Sequence, residues 1–284
     1  METLVLSDDA YPNALKEIPE PPERLWIRGT LPPEGTKYLT VVGSRALTSY
    51  GREACAKLIG GLAGYPISII SGLALGADAA AHRAALTSGL HTIAVPGSGL
   101  ADVAISPRSN VGLASDILSS GGALLSEHPP DYLPHPYDFP SRNRIMVGMS
   151  DAVLMIEAGE RSGTLITARL STEYNRELLC VPHRIGDVHG YGANLFLRLG
   201  ATAVSDSVHI LEALRVAPRT SGATRTPPTL TGTEAILYEA LQMPIPRDEL
   251  IRVSGLPAGE VLTNLIMLEL KGLAYEEFGL WKKS

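Results

Sequence analysis

Residues 38–49, Tyr38-Leu-Thr-Val-Val-Gly43-Ser44-Arg45-Ala-Leu-Thr-Ser49, decide the fold. The first five are strand-length and apolar on both faces, then a glycine turns the chain, and the following stretch Tyr50–Ala63 has helical length. A strand buried on both faces that feeds a helix is the opening half of a βαβ unit. The same alternation recurs with apolar runs at Ile67–Ile70, Thr92–Val95, Ala123–Leu125, Ala152–Ile156, Leu178–Val181 and Ala201–Val204. Helix-length segments such as Gly76–Thr87 and Thr164–Tyr174 lie between them. Short buried runs alternating with helices predict α/β architecture, a doubly wound and mostly parallel sheet.

Outward from this core the composition changes. Residues 1–36 hold 7 acidic and 3 basic residues with Pro19-Glu20-Pro21-Pro22 and Pro32-Pro33, and read as an irregular N-terminal arm. Residues 37–214 form the core, residues 215–229 a linker rich in Ser, Thr, Pro and Gly, and residues 230–284 a small domain. In that last segment Thr231–Leu241, Pro246–Ser254 and Pro257–Leu270 read as helices and Leu273–Trp281 as a hairpin, which together predict a winged helix-turn-helix. The 284 residues are 45% hydrophobic and 19% charged, an ordinary globular balance. Two cysteines, Cys55 and Cys180, are too few for a disulfide scaffold or a Cys-rich zinc module and fit a reducing, cytoplasmic setting. The seven histidines show no metal-ligand spacing, no basic leader opens the chain, and no run of about 18 apolar residues suggests a membrane span. No metal, cofactor or membrane partner is therefore expected. The formal net charge of −6 argues against a nucleic-acid binder that works by a broad basic surface. Residues 37–214, however, carry 13 basic residues of which 11 are arginine, suited to a few bidentate phosphate contacts.

In an open α/β sheet ligands bind at the carboxyl ends of the strands. Those exits read Gly43-Ser44-Arg45, Ser71-Gly72, Pro96-Gly97-Ser98-Gly99 and Glu157-Ala-Gly159-Glu-Arg161-Ser162-Gly163-Thr164. Glycine lets backbone approach a phosphate, a helix start offers free N–H groups, and arginine adds a donor fork. Glycines that merely shape turns are the plainer alternative at each exit. No Gly-Lys-Ser/Thr is present and Gly43–Thr48 lacks the Gly-x-Gly-x-x-Gly pattern, which excludes a P-loop and the usual dinucleotide fingerprint. Asp138-Phe139-Pro140-Ser141-Arg142-Asn143-Arg144-Ile145 pairs an aromatic with two arginines, a combination used for single strands, although a helix start with Phe139 in the core fits equally well. Asp78 and His82, at i and i+4, are expected to bond each other as a structural pair.

Taken together in chain order, Gly43-Ser44-Arg45, Ser71–His82, Thr92–Leu100, Ser126-Glu127, Phe139–Ile145 and Ser162–Arg169 resemble the DNA-processing protein A (DprA/Smf) family. The resemblance implies an extended Rossmann-like core that binds single-stranded DNA without hydrolysing anything, with a winged-helix companion. It further implies protection of incoming single strands in natural transformation, loading of the RecA recombinase, displacement of single-stranded DNA-binding protein, and a homodimer. By position, Gly43, Ser44 and Arg45 would hold a backbone phosphate with Ser71 and Gly72 beside it, and Phe139 would stack a base. Arg142 and Arg144 would line or support the strand path with Asn143, while Arg161, Ser162, Gly163 and Thr164 would close the pocket. The chain departs from the family pattern at Ile105-Ser-Pro-Arg-Ser-Asn110, at Val181-Pro-His183, and at His135-Pro-Tyr-Asp138, where some members place a lysine.

Two other readings compete. A related nucleotide-binding or phosphoribohydrolase-like protein would carry a glutamate three residues after Gly163-Thr164, but Thr167 stands there. Loss of such a carboxylate removes general acid-base catalysis of typically about a hundredfold or more. A sequence-specific reader built on Pro257–Leu270 would bring Glu260 and Glu269, with no basic residue before Lys271, against phosphates.

Overall fold

A computed structural model of the chain describes residues 1–8, 10–218, 230, 232–241, 243–271, 273–277 and 279–283. It comprises two compact units, Met1–Pro218 and Arg219–Ser284.

The first unit is built on one nine-stranded sheet. Its elements in chain order begin with β1 (Glu2–Val5), α1 (Asn13–Lys16), β2 (Arg24–Gly29), β3 (Lys37–Val42), α2 (Ser49–Gly60), β4 (Ile67–Ser71), α3 (Ala77–Thr87) and β5 (His91–Ala94). They continue with α4 (Val111–Ser119), β6 (Ala123–Ser126), α5 (Asp138–Met149), β7 (Ala152–Met155), α6 (Thr164–Glu173), β8 (Glu177–Cys180), α7 (Tyr191–Arg198), β9 (Thr202–Ala203) and α8 (Ser207–Ala213). The strand order is β1-β2-β6-β5-β4-β3-β7-β8-β9, parallel from β6 to β9. All seven apolar runs of the sequence are strands of that parallel block.

The period of two explains why both faces are apolar. In β7, Leu154 packs with Leu39, Val41, Leu58 and Ile59 on the side of α2, α3 and α8, whereas Val153 and Met155 pack with Ile145, Ala168 and Phe196 on the side of α5, α6 and α7. The amino end of the β3–β7 pair is pinned by Asp151, which accepts from Tyr38 N at 2.8 Å and from Lys37 Nζ at 2.8 Å.

The N-terminal arm is not irregular, contrary to the sequence reading. Arg24-Leu-Trp-Ile-Arg-Gly29 alternates buried Leu25 and Ile27 with more exposed neighbours and pairs antiparallel with β6, and β1 pairs antiparallel with β2. The flanking prolines masked a short period-two signal, since proline is excluded from a strand interior but not from its ends. Tyr11 is fully buried, its hydroxyl donating to Pro22 O at 2.7 Å, so the segment before β2 packs on the core instead of trailing from it. The expected linker lies mostly outside the described residues, with only residues 215–218 of it described.

The second unit holds α9 (Gly232–Ala240), β10 (Ile245–Pro246), α10 (Arg247–Ser254), α11 (Ala258–Leu270), β11 (Ala274–Glu277) and β12 (Leu280–Lys283), with strand order β10-β12-β11. Gly255 takes φ +67°, the left-handed cap that ends α10 before α11. Leu237, Leu250, Val261, Leu265, Leu268 and Trp281 form its own core. This is a winged helix with one strand, β10, more than the sequence suggested.

Candidate functional site

The strand order changes direction at β3, whose successors β4 and β7 lie on opposite sides of it. Such a switch point opens a crevice at the carboxyl ends, and here that crevice is a cavity of about 620 Å³. Its walls include Gly43, Ser44, Arg45, Phe139, Arg142, Asn143, Arg161, Ser162, Gly163 and Thr164. The expected residues Ser71, Gly72 and Arg144 do not line it. The Ser71 hydroxyl donates to Val41 O at 2.7 Å, and Arg144 is paired with Glu127 at 2.5 Å. Asp78, Pro136, Pro140, Thr167 and His189 also line the cavity, although the motif reading did not single them out as site residues.

Close packing shapes the β3 exit. A Cβ on Gly43 would lie 2.6 Å from Ala77 Cβ and 3.2 Å from Glu157 O, so only glycine passes between α3 and the end of β7. Gly76, at φ +73°, lets Ala77 N donate to Ser44 O at 3.0 Å and locks the start of α3 onto this turn. Thr48 caps α2 by accepting from Gly51 N at 3.1 Å, and both its N–H and its hydroxyl donate to the fully buried Glu157 carboxylate. That carboxylate ties the β7 exit to the first turn of α2. The Thr48 cap is legible from sequence, whereas its long-range partner is not.

The opposite rim is the start of α6. Ser162 Oγ accepts from Thr164 N at 3.2 Å and donates to Thr164 Oγ1 at 2.9 Å. Gly163 has ordinary φ of −60°, and a Cβ there would meet nothing within 4 Å. The chain itself does not require glycine at this position, so what the missing side chain leaves is room at a helix N-terminus, where N–H groups favour anions.

Arg142 is the most constrained charge in the cavity. It is 5% exposed, its guanidinium covers Gly72 closely enough that a Cβ there would sit 2.3 Å from Nη2, and its Nε and Nη1 have no hydrogen-bond partner. Burial lowers its pKa to about 10, opposed by the Asp78 carboxylate and reinforced by Arg45, so it remains a cation at neutral pH. Burial likewise raises the Asp78 pKa, against the pull of Arg142 and of the Ala74 N–H, which donates to it at 3.3 Å.

Asp78 is thus coupled by charge to Arg142 without closing to an ion pair, and the expected Asp78–His82 bond is absent. Thr92 Oγ1 already donates to Ile69 O at 2.8 Å, so His82 Nδ1 carries the proton it shares with Thr92 at 2.7 Å. Burial pushes the His82 pKa down to about 3.

Phe139, the second residue of α5, is held as a ring platform. A Cβ on Gly97 would reach within 3.0 Å of its ring, and the Arg45 guanidinium lies over it at 5.3 Å from the centroid. Arg45 is exposed and makes this ring contact with no ion pair among the described residues. A base can therefore stack on that face only after Arg45 leaves it. With Arg45, Arg142 and Arg161 against Asp78, the lining has a positive excess inside an acidic chain.

A larger cavity, about 880 Å³, lies at the amino ends of β3, β7 and β8. Three carboxylates offset its four cations, and Lys37 there is already paired with Asp151. Arg176 there leaves its buried Nε without a partner, but its Nη2 donates to Gly148 O at 2.9 Å and to Ala14 O at 3.3 Å, so less of its charge is unmet than of Arg142. The family departure His183 lies outside the switch-point cavity, where its Nε2 donates to Ile156 O at 2.9 Å and its Cβ fills the space a side chain on Gly190 would need. Asn110, in another departure, donates to Leu73 O and Ala74 O and holds Leu73 at φ +59°. Among the described residues no acidic or His/Cys cluster could hold a metal ion, and no helix is long and apolar enough to cross a membrane.

Comparison with known proteins agrees with this architecture. Residues 2–215 match the model of DNA recombination-mediator protein A, and residues 221–276 match the DprA winged helix domain. The chain is 38% identical to protein Smf of Escherichia coli over 92% of its length and 72% of that protein. The X-ray structure of DNA processing protein A from Streptococcus pneumoniae superposes with a TM-score of 0.70 at 37% identity, over 74% of this chain and 73% of that one. DNA processing protein A from Helicobacter pylori, in a structure concerned with its single-stranded DNA binding mode, gives 0.65 at 27% identity over 75% and 96%. A doubly wound sheet with its crevice at β3 and β7, a winged helix, and family matches across both units lead to one conclusion: the chain belongs to the DNA recombination-mediator protein A (DprA/Smf) family.

Proposed function

We propose that the protein binds single-stranded DNA in the switch-point cavity and does no hydrolysis there. The observation that carries this reading is Arg142, a buried guanidinium whose Nε and Nη1 lack partners in the wall of an open crevice. An unmet buried charged donor costs more than the roughly 1–3 kcal/mol of a neutral one, and a phosphate oxygen relieves it. Arg45 and the α6 N-terminus supply further phosphate donors, and Phe139 stacks a base once Arg45 moves to phosphate. Thr167, in place of a carboxylate, speaks against glycosidic cleavage. The Helicobacter pylori relative, with its single-stranded DNA binding mode, lends the reading independent support.

Within this proposal the bound strand is one the protein shields during transformation and passes to the RecA recombinase in exchange for single-stranded DNA-binding protein, acting as a homodimer. A gel-shift comparison of single- and double-stranded oligonucleotides over a salt series tests the binding step. Preference for the single strand is expected, and equal or no binding of the two overturns the reading. Incubation with nucleoside monophosphates is expected to release no free base, whereas sustained release establishes the hydrolase instead.

A further inference from the structure

The segment between β6 and α5, Glu127-His-Pro-Pro-Asp-Tyr-Leu-Pro-His-Pro-Tyr137, carries four rings in a short run. His128 stacks on Tyr132 at 4.1 Å with 11° between planes, Tyr132 meets His135 edge-on at 6.1 Å, and His135 lies parallel to Tyr137 at 5.4 Å and 6°. The inner rings are anchored by the buried Asp138, whose Oδ2 accepts from the Tyr132 hydroxyl at 3.0 Å and from His135 N at 2.7 Å. The outer ring, Tyr137, is 67% exposed, and its neighbour His135 is exposed too.

Nothing in the phosphate pocket needs this pair. It is nevertheless continuous with the pocket, because Pro136 and Pro140, which bracket Tyr137 and Phe139, both line the cavity. One residue, Asp138, separates Tyr137 from Phe139, so their Cα atoms lie no more than about 7.6 Å apart. That is a distance the next nucleotide of an extended strand can bridge.

Resting on the single-strand reading, we propose that Tyr137, backed by His135, is a second base-stacking platform, which takes the nucleobase of the nucleotide leaving the cavity. Asp138 fixes the Tyr132 hydroxyl and the His135 backbone, and Tyr137 lies parallel on the His135 ring, so a base added as the next layer meets a stack that is already formed. Stacking suits any base, so the platform extends the site without adding sequence preference. It also extends the contact without adding charge.

The test is fluorescence polarisation of a labelled 12-nucleotide oligothymidylate with the full chain, its Tyr137→Ala and Tyr137→Phe variants, and Phe139→Ala. Tyr137→Ala is expected to weaken binding roughly 5- to 100-fold with an unchanged salt slope, while Tyr137→Phe binds as the parent does. An oligonucleotide carrying 5-iododeoxyuridine is expected to photocross-link to the peptide that contains Tyr137. If Phe139→Ala weakens binding but Tyr137→Ala does not and no adduct forms at Tyr137, the platform is wrong and the pocket stands. If the parent fails to bind the oligonucleotide, the single-strand reading falls and the platform with it.

Discussion

Arg142 and Asp78 illustrate how a single residue can serve fold and ligand at once. Both are buried and coupled through charge without closing to an ion pair, so removing one leaves the charge of the other uncompensated. Arg142→Met is therefore expected to lower the melting temperature and abolish strand binding. Arg142→Met combined with Asp78→Asn is expected to restore most of the stability and none of the binding. Recovery of binding in the double variant would remove Arg142 from the site. Arg45 and Phe139 separate along another axis. Arg45→Ala is expected to flatten the slope of log affinity against log salt by about 0.7, one single-strand phosphate contact, whereas Phe139→Ala lowers affinity at every salt concentration and leaves the slope unchanged. His82 gives a pH signature. Its folded pKa of about 3 lies below its unfolded value, so the unfolded state binds the extra proton and stability falls as pH drops from about 6.5 towards 3. His82→Asn keeps a donor to Thr92, and urea unfolding of that variant should show a flatter dependence over this window.

At the scale of elements, the parallel block was legible because a strand buried on both faces announces itself as an unbroken apolar run. β1 and β2 were not, since a half-exposed antiparallel strand such as Arg24–Gly29 leaves only two buried side chains among prolines and acids. The site divided in the same way. Gly43, Arg45 and Ser162–Thr164 follow from strand exits, whereas the links from Glu157 to Thr48 and from Arg142 to Asp78 join residues far apart in sequence, and no local pattern encodes them. Asp78 and His82 share a helical face, yet His82 bonds Thr92 on β5 and Asp78 accepts from Ala74 N in the field of Arg142. The starts of α3 and α6 allow an element-level prediction from two kinds of glycine. Gly76→Ala forces φ +73° on an alanine and sets its Cβ 2.2 Å from Ser44 O, so a loss of stability of at least about 1–3 kcal/mol is expected in thermal unfolding. Gly163→Ala meets no protein atom and is expected to leave the melting temperature unchanged while weakening strand binding, because the methyl group occupies the approach to the helix N-terminus. Undiminished binding by Gly163→Ala would show that the ligand does not approach this helix.

At the scale of the molecule, a net charge of −6 and a single-strand pocket are compatible because the charge is unevenly placed. The cavity sets three arginines against one aspartate, while residues 228–284 carry 8 acidic and 5 basic residues, with Glu260 and Glu269 on α11. This distribution limits how much of the binding can be electrostatic. If Arg45, Arg142 and Arg161 each neutralise one phosphate, the salt slope for a single strand should be about −2, at about 0.7 per contact. A surface that gripped the backbone along its length would give a far steeper value. The same distribution makes the winged helix dispensable for this step: a chain ending at Pro218, which keeps the whole first unit and its core, is expected to bind oligothymidylate with the affinity and salt slope of the full protein. A slope several times steeper, or loss of affinity on removing residues 219–284, would shift the main phosphate contacts away from the crevice between β3 and β7.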